Sequence, residues 1–236
     1  ELPFIGLYGA CSTMSESLAL GACLVDGGYA RKTICATVSH FSSAEKQYRY
    51  PLELGNQRPP VSQWTVTGTG CTILGRGDKG NYISMATFGK VTDYGISDVN
   101  NMGAAMAPAA METLVSHFKD TKRKPEDYDL IVTGDLGKLG SEILRDLMAH
   151  AGYPLKENYC DCGQMIYGRY QKTHQGGSGA GCSASVLNAF INRQIEKGKY
   201  KRVLFTATGA LLSPLSSQQG ETIPGIAHAV VIERGE

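Results

Sequence analysis

Cys11 stands between the apolar stretch "LPFIGLY" and a run of small and apolar residues at helical spacing, "CSTMSESLALGACLVD". If a strand ends there and a helix begins, the thiol sits at the positive end of a helix dipole. That position favours thiolate and hence nucleophilic attack. Such a nucleophile needs a partner that moves protons and groups that polarise the carbonyl it attacks. Five histidines are available as bases: His40, His117, His150, His174 and His228. His40 follows an apolar run, His174 precedes a glycine-rich one, and His228 falls in the last loop or strand. His117 and His150 lie toward helix C-termini, where a partial positive charge suits the dipole and a structural role accounts for them. A lone histidine is more often a packing or surface residue than a base. Cys11 has its own plain reading, as a small side chain at a tightly packed helix start.

Two glycine-rich loops offer different chemistry: "GDLGKLG" from Gly134 and "GGSGAG" from Gly176. Backbone N–H groups at helix N-termini without bulky side chains form a surface for anions. Neither loop is a dinucleotide site, because the Gly-x-Gly start is missing from the first and no strongly apolar strand precedes the second. The helix starts at Cys11, Gly137 and Gly179 support no more than a small anionic ligand.

The elements that must position these residues alternate. The pattern predicts strands at Leu2–Tyr8, Thr33–Ser39, "WTVTGTGCTIL", "NYISMATFGKV", "YDLIVT", Arg202–Thr208 and Ala227–Glu233. Helices are expected from Ser12 to Asp26, in "NMGAAMAPAAMETLVSHFKD", in "SEILRDLMAHAG" and from Ser183 to Lys197. "GRGDKG" reads as a turn joining its two flanking strands, and Pro108 argues for a late start or a kink in its helix. Strands alternating with helices mean an α/β fold with a substantially parallel sheet.

A shift of 171 positions lays Cys11 on Cys182, Ser12 on Ser183, Gly27 on Gly198, Tyr29 on Tyr200, Arg31 on Arg202 and Thr37 on Thr208. A slightly different shift lays "GTGCTIL" on "GIAHAVV". The chain therefore reads as a duplicated α/β unit.

Composition narrows the function classes. The 23 basic and 22 acidic residues nearly cancel, which argues against nucleic acid or an acidic membrane surface as a partner. The basic run "KDTKRK" reads as a solvated helix end. Seven scattered cysteines, with only Cys160 and Cys162 close together, do not make a zinc pattern, so no metal site is expected. Reduced thiols in an intracellular protein are the expected state. No apolar run reaches the ~18 residues of a membrane span, and no signal peptide is visible. The chain begins at Glu1, directly before an expected core strand, which reads as a fragment.

A duplicated α/β unit with a cysteine opening a helix resembles the thiolase fold of thiolases and ketoacyl synthases. More closely, "FIGLYGACSTMSESLALGACLVDGGYA", "GKVTDYGISDVNNMGAAMAPAA", "DYDLIVTGDLGKLGSEILRDLM", "GGSGAGCSAS" and "ATGALLSP" resemble the stage V sporulation protein AD family across essentially the whole chain. The resemblance implies a thiolase-like duplicated α/β fold with layered sheets and helices. It divides the chain into an N-terminal half, 1–76, incomplete at its N-terminus, and a C-terminal half, 77–236. It also implies the partners a condensing enzyme needs. The loop that would carry a histidine has Gly134 and Asp135, the glycine-rich loop has Gly177 and Ser178, and the last loop, "TIPGIAH", lacks a cysteine. No catalytic residue is therefore expected.

Cys11, Gly134, Asp135, Gly177, Ser178 and His228 are expected to bound a ligand site, with no cofactor. An ionised Asp135 would repel a dianion, so it must point away, be protonated or help hold a cation. The resemblance further implies dipicolinate (pyridine-2,6-dicarboxylate) as the ligand and a part in its uptake into the developing spore. It implies an intracellular location, peripheral to the spore inner membrane, with other membrane-associated sporulation proteins as partners. Homodimers would form through antiparallel pairing of Leu2–Tyr8. The alternative is a Cys-dependent acyltransferase with an unconventional base.

Overall fold

The computed structural model describes residues 2–46, 58–77 and 79–235. A 3₁₀ turn at Ala10–Ser12 leads into α1 (Thr13–Asp26), then β1 (Lys32–Ser39) and α2 (Phe41–Lys46). β2 (Trp64–Thr65), β3 (Gly68–Gly75), β4 (Tyr82–Phe88) and α3 (Met102–Thr121) follow. Next come β5 (Leu130–Thr133), α4 (Gly137–His150), β6 (Tyr159–Asp161) and α5 (Cys162–Met165). The last part holds β7 (Gly177–Ser178), α6 (Ala180–Val186), a π turn at Leu187–Ile191, α7 (Asn192–Glu196), β8 (Arg202–Ala210), α8 (Pro214–Gln218) and β9 (Gly225–Glu233).

Five strands form one mixed sheet in the order β4-β9-β8-β5-β6. Its β8-β5-β6 part is parallel, whereas β9 runs antiparallel to both β8 and β4. β5, β8 and β9 are buried almost throughout, which is why "LIVT", "VLFTATGA" and "IAHAVVI" are near-continuous apolar or small-residue runs rather than alternating ones. On one face Val132, Phe205 and Val230 pack with Met14 and Leu18 of α1 and Cys182 and Ala184 of α6. On the other, Ile131, Leu204 and Val231 meet Leu114 and Phe118 of α3 and Leu144 and Met148 of α4. The antiparallel pair β1-β3 closes the opposite side of α1 and α6. There α6 approaches β3 backbone to backbone: a Cβ on Gly70 would collide with the Ala184 carbonyl, and one on Gly181 with the Gly68 carbonyl. The layers are thus small sheet, two helices, large sheet, two helices.

The internal repeat is visible in the ladder register. Thr37 pairs with Gly70 and Ser39 with Gly68 in the first copy. Thr208 pairs with Ala227 and Ala210 with Gly225 in the second. The shift that aligns the helix starts, with the second shift that aligns the following strands, carries one pairing onto the other. Both copies are helix, strand, antiparallel strand.

Four expectations need correction. Residues 2–8 form no ladder with any described residue; a strand is defined by its partner, and here Leu2 and Phe4 are exposed at 81% and 94%. The strands flanking "GRGDKG" are not a hairpin, because β3 pairs with β1 and β4 with β9, in different sheets. α3 starts before Pro108, since the Asn101 side chain accepts the Ala104 N–H at 3.4 Å and caps the helix ahead of the proline. His117 is no dipole-pairing cation. It is fully buried, with Nδ1 2.7 Å from Thr87 Oγ1 and Nε2 2.7 Å from the Tyr128 hydroxyl.

Burial, reinforced by the Arg123 charge, pushes the His117 pKa down to about 4. The unfolded chain therefore binds more protons at this site between pH 4 and the ordinary value of 6.5. Its contribution to stability is present above that window and lost as pH falls through it. Urea midpoints of wild type and His117→Gln, compared from pH 7 to pH 4.5, should converge as the pH falls. Parallel profiles would show that His117 carries no such linkage.

Candidate functional site

The turn before α1 is tight. Gly9 O accepts both the Ser12 N–H at 3.0 Å and the Ser12 hydroxyl at 2.6 Å, and Ala10 is held at φ 49, a conformation uncommon outside glycine. This turn presents the half-buried Cys11 to a cavity of about 320 Å³. The cavity walls include Ser39, Gln63, Thr65, Asn100 and Ser178, which carry neutral polar groups. Tyr8, Val99, Met102, Ala210 and Leu212 supply apolar surface. Among the described residues lining it, none is Lys, Arg or His, and Glu45 is the acidic one.

Asp135 lies beneath Cys11, 1% exposed, and does not line the cavity. Its Oδ2 accepts the Gly179 N–H at 2.9 Å and its Oδ1 the Thr208 hydroxyl at 2.9 Å. The Cys11 side chain adds a third favourable interaction with the same carboxylate. Burial, countered by the Gly179 amide, the Cys11 side chain and the Thr208 hydroxyl, pushes the Asp135 pKa up to about 6. Burial and then the Asp135 charge hold the Cys11 thiol well above its ordinary value. The dipole at the helix start does not prevail over burial and the Asp135 charge, which favour the protonated thiol. Of the three possibilities for Asp135, the structure shows it pointing away from the cavity.

A second buried carboxylate does the same one helix further on. Asp161 Oδ2 accepts from Leu136 N–H at 2.9 Å and the Thr133 hydroxyl at 2.7 Å, while Oδ1 accepts from Gly137 N–H at 2.9 Å. Burial, with the Asp135 charge adding to it, pushes Asp161 up to about 7. The expectation of three helix starts open to an anion is therefore corrected. The amides at α4 and α6 are filled by the chain's own carboxylates, Asp161 and Asp135.

Of the six residues expected at the site, Cys11 and Ser178 line the cavity. Asp135 supports Cys11 from below. Gly134 and Gly177 are buried backbone; Gly177 O accepts the Gln63 side-chain amide at 2.8 Å, and that amide also donates to Asp135 O at 2.6 Å. His228 lies apart, in β9. Its Nδ1 accepts the Gly89 N–H at 3.2 Å, its ring meets Phe88 edge-on, and burial lowers its pKa. His40 and His174 are exposed and line no part of the cavity. Ser39, Gln63 and Asp161 were not anticipated. Asp161 alone carried a signal, a charge placed between two cysteines. Among the described residues no cluster of three His, Cys, Asp or Glu side chains is arranged to hold a metal, and no helix is long and apolar enough to cross a membrane.

Residues 1–233 match the family profile of Stage V sporulation protein AD (SpoVAD). The chain is 49% identical over 234 residues to Stage V sporulation protein AD of Bacillus subtilis (strain 168), covering 99% of this chain and 69% of that one. Among solved structures it resembles 3-oxoacyl-(acyl carrier protein) synthase III of Pseudomonas aeruginosa, with TM-score 0.59 and 12% identity over 98% of this chain and 67% of that one. It also resembles the 3-oxoacyl-[acyl-carrier-protein] synthase III of Aquifex aeolicus, with TM-score 0.54 and 14% identity over 95% and 65%. The chain thus spans about two-thirds of the length of these proteins. The structural likeness, with the layered sheets and helices, shows the thiolase-like α/β fold.

A thiol held neutral by a buried carboxylate should react slowly with alkylating reagents. Iodoacetamide modification of Cys11, followed by peptide mass analysis across pH 7 to 9, should lag behind that of a free thiol. Asp135→Asn removes the opposing charge and should raise the rate. An alkylation rate at Cys11 typical of an activated cysteine would contradict the assignment.

Proposed function

The chain belongs to the Stage V sporulation protein AD family, and we propose that it is a non-catalytic binding protein on a condensing-enzyme scaffold, with a small aromatic dicarboxylate as ligand. The observation that carries this reading is the Cys11–Asp135 contact. An attacking thiol must lose its proton; burial and then the Asp135 charge hold that proton on Cys11. It occupies the loop after β5, where the resemblance to condensing enzymes calls for a histidine. No histidine lines the cavity among the described residues to take its place.

The cavity offers apolar faces to a flat ring and neutral polar groups to its carboxylates. Its volume lies at the small end of ligand sites. Met102, Leu212 and the Tyr8 ring supply apolar faces, while Ser178, Asn100 and Thr65 supply neutral polar groups for carboxylate oxygens. Because the Asp135 carboxylate is turned to the Gly179 amide and the Thr208 hydroxyl and does not line the cavity, its charge is not displayed to the ligand. Dipicolinate is the ligand we propose, and its uptake into the developing spore the process, in company with membrane-associated sporulation proteins. The sporulation name of the B. subtilis relative agrees with that setting.

We propose a homodimer through antiparallel pairing of Leu2–Tyr8. Leu2, Phe4, Ile5 and Tyr8 are exposed, and no described residue pairs with their backbone, the condition that invites strand addition. The second reading, a Cys-dependent acyltransferase, is favoured by the condensing-enzyme fold and by the position of Cys11 at the cavity, and disfavoured by the state of its thiol.

Calorimetry with dipicolinate tests the first reading. Cys11→Ser, nearly the same size, should keep affinity within about fivefold, or about 1 kcal/mol. Cys11→Phe should fill the cavity and abolish binding while the protein stays folded by circular dichroism. Acyl-CoA turnover that disappears on Cys11→Ser would favour the acyltransferase instead.

For the dimer, light scattering should give twice the 25.3 kDa chain mass. Ile5→Pro, which removes a ladder N–H, should shift it to the monomer. A wild-type monomer would refute the pairing.

A further inference from the structure

The polar residues that line the cavity differ in how much of their hydrogen-bonding capacity the fold already uses. Ser39 donates its hydroxyl to Val66 O at 2.6 Å and accepts the Gly181 N–H at 3.0 Å. Gln63 Nε2 donates to Asp135 O at 2.6 Å and to Gly177 O at 2.8 Å, which uses both of its protons. Thr65 donates its hydroxyl to Glu45 Oε1 at 2.9 Å. The Cys11 side chain is engaged with Asp135, and Tyr8, 75% exposed, is open to water. Two side chains remain. The Ser178 hydroxyl and the Asn100 side-chain amide face the cavity and hydrogen-bond to no described residue.

Both are held in place by their backbones. Ser178 is 8% exposed and lies on β7, where its carbonyl accepts the Val66 N–H at 2.8 Å. The Asn100 N–H donates to Asp98 Oδ1 at 2.9 Å, in the turn that leads into the Asn101 cap of α3. A hydroxyl largely removed from water without a protein partner costs the fold free energy, and the loss is offset when another molecule meets it.

We infer that Ser178 and Asn100 are the specificity-determining residues of the cavity, each donating to one carboxylate of a ligand that carries two. This rests on the reading of the cavity as a dicarboxylate site. The two residues reach the cavity from separate elements, β7 and the loop before α3, which suits a ligand with anionic groups at two points of its rim. With no Lys, Arg or His in the described lining, neutral donors are what the side chains there can offer an anion. A hydrogen bond to an ionised acceptor is stronger than one to a neutral acceptor, so each contact favours a carboxylate over an uncharged substituent.

Calorimetry on the whole chain with dipicolinate and with picolinate, which carries one carboxylate on the same ring, tests the assignment. Ser178→Ala and Asn100→Ala should each weaken dipicolinate by about tenfold. Picolinate can engage either donor, so each single variant should weaken it much less, whereas the double variant should weaken both ligands. Melting temperatures of the single variants should match the wild type, because neither group bonds to the fold. Ser178→Cys and Asn100→Leu, close in size to the residues they replace, serve if an alanine variant does not fold. Undiminished dipicolinate binding in either single variant would overturn the inference, as would equal losses of the two ligands. Failure of the wild type to bind dipicolinate would remove the dicarboxylate reading itself, and the inference with it.

Discussion

A carboxylate taken out of water must be met by donors on nearly every lone pair, and Asp135 imposes that demand at the centre of the molecule. Its partners come from three separate elements: the Gly179 amide at the start of α6 and the Thr208 hydroxyl on β8 donate to it, and the Cys11 side chain at the start of α1 interacts with it. Each of these elements belongs to a different part of the sequence, so one residue ties the two helix starts to the large sheet. Gln63 adds the short strand pair by donating to the Asp135 and Gly177 carbonyls. Losing any one donor would leave a buried charge short of partners, a costlier event than the loss of an ordinary hydrogen bond. Asp161 repeats the device for α4, and the Asp135 charge adds to the cost of ionising it.

The repeat explains how such a centre arises. Each helix start is braced by the strand that follows the other copy's helix. The end of β1 supports α6: Thr37 donates to Ala180 O at 3.2 Å, and Ser39 accepts the Gly181 N–H at 3.0 Å. The end of β8 lies so close to the turn before α1 that a Cβ on Gly209 would strike the Gly9 carbonyl. The arrangement is symmetric, and the chemistry placed in it is not. One copy opens its cysteine to a cavity; the other buries Cys182 completely, where its sulfur faces the Gly134 carbonyl.

Much of this was legible in the sequence. The paired cysteines and the two shifts gave the duplication, and the apolar runs of β5, β8 and β9 gave the buried sheet. The site was legible at Cys11, Asp135 and Ser178, whose loops follow strand ends. It was not legible at the amides. Glycine-rich helix starts advertise free N–H groups, but whether a carboxylate from elsewhere in the chain fills them depends on side chains distant in sequence, 44 positions apart for Asp135 and Gly179. His228 misled for a similar reason: its position in the last strand was clear, and the side of the sheet it shares with Phe88 was not. Leu2–Tyr8 has the composition of a strand, yet composition cannot supply a partner.

Trp64 is the single tryptophan of the chain, and it sits beneath a guanidinium at 3.6 Å, on the strand that contributes Thr65 to the cavity. Its indole N–H has no hydrogen-bond partner among the described residues. Indole emission depends on the local field and on access of water, and here the Arg58 guanidinium and the Phe41 ring lie against the indole. The protein consequently carries one native optical reporter between two residues that line its cavity, Gln63 and Thr65, and events there can be followed in real time without a label.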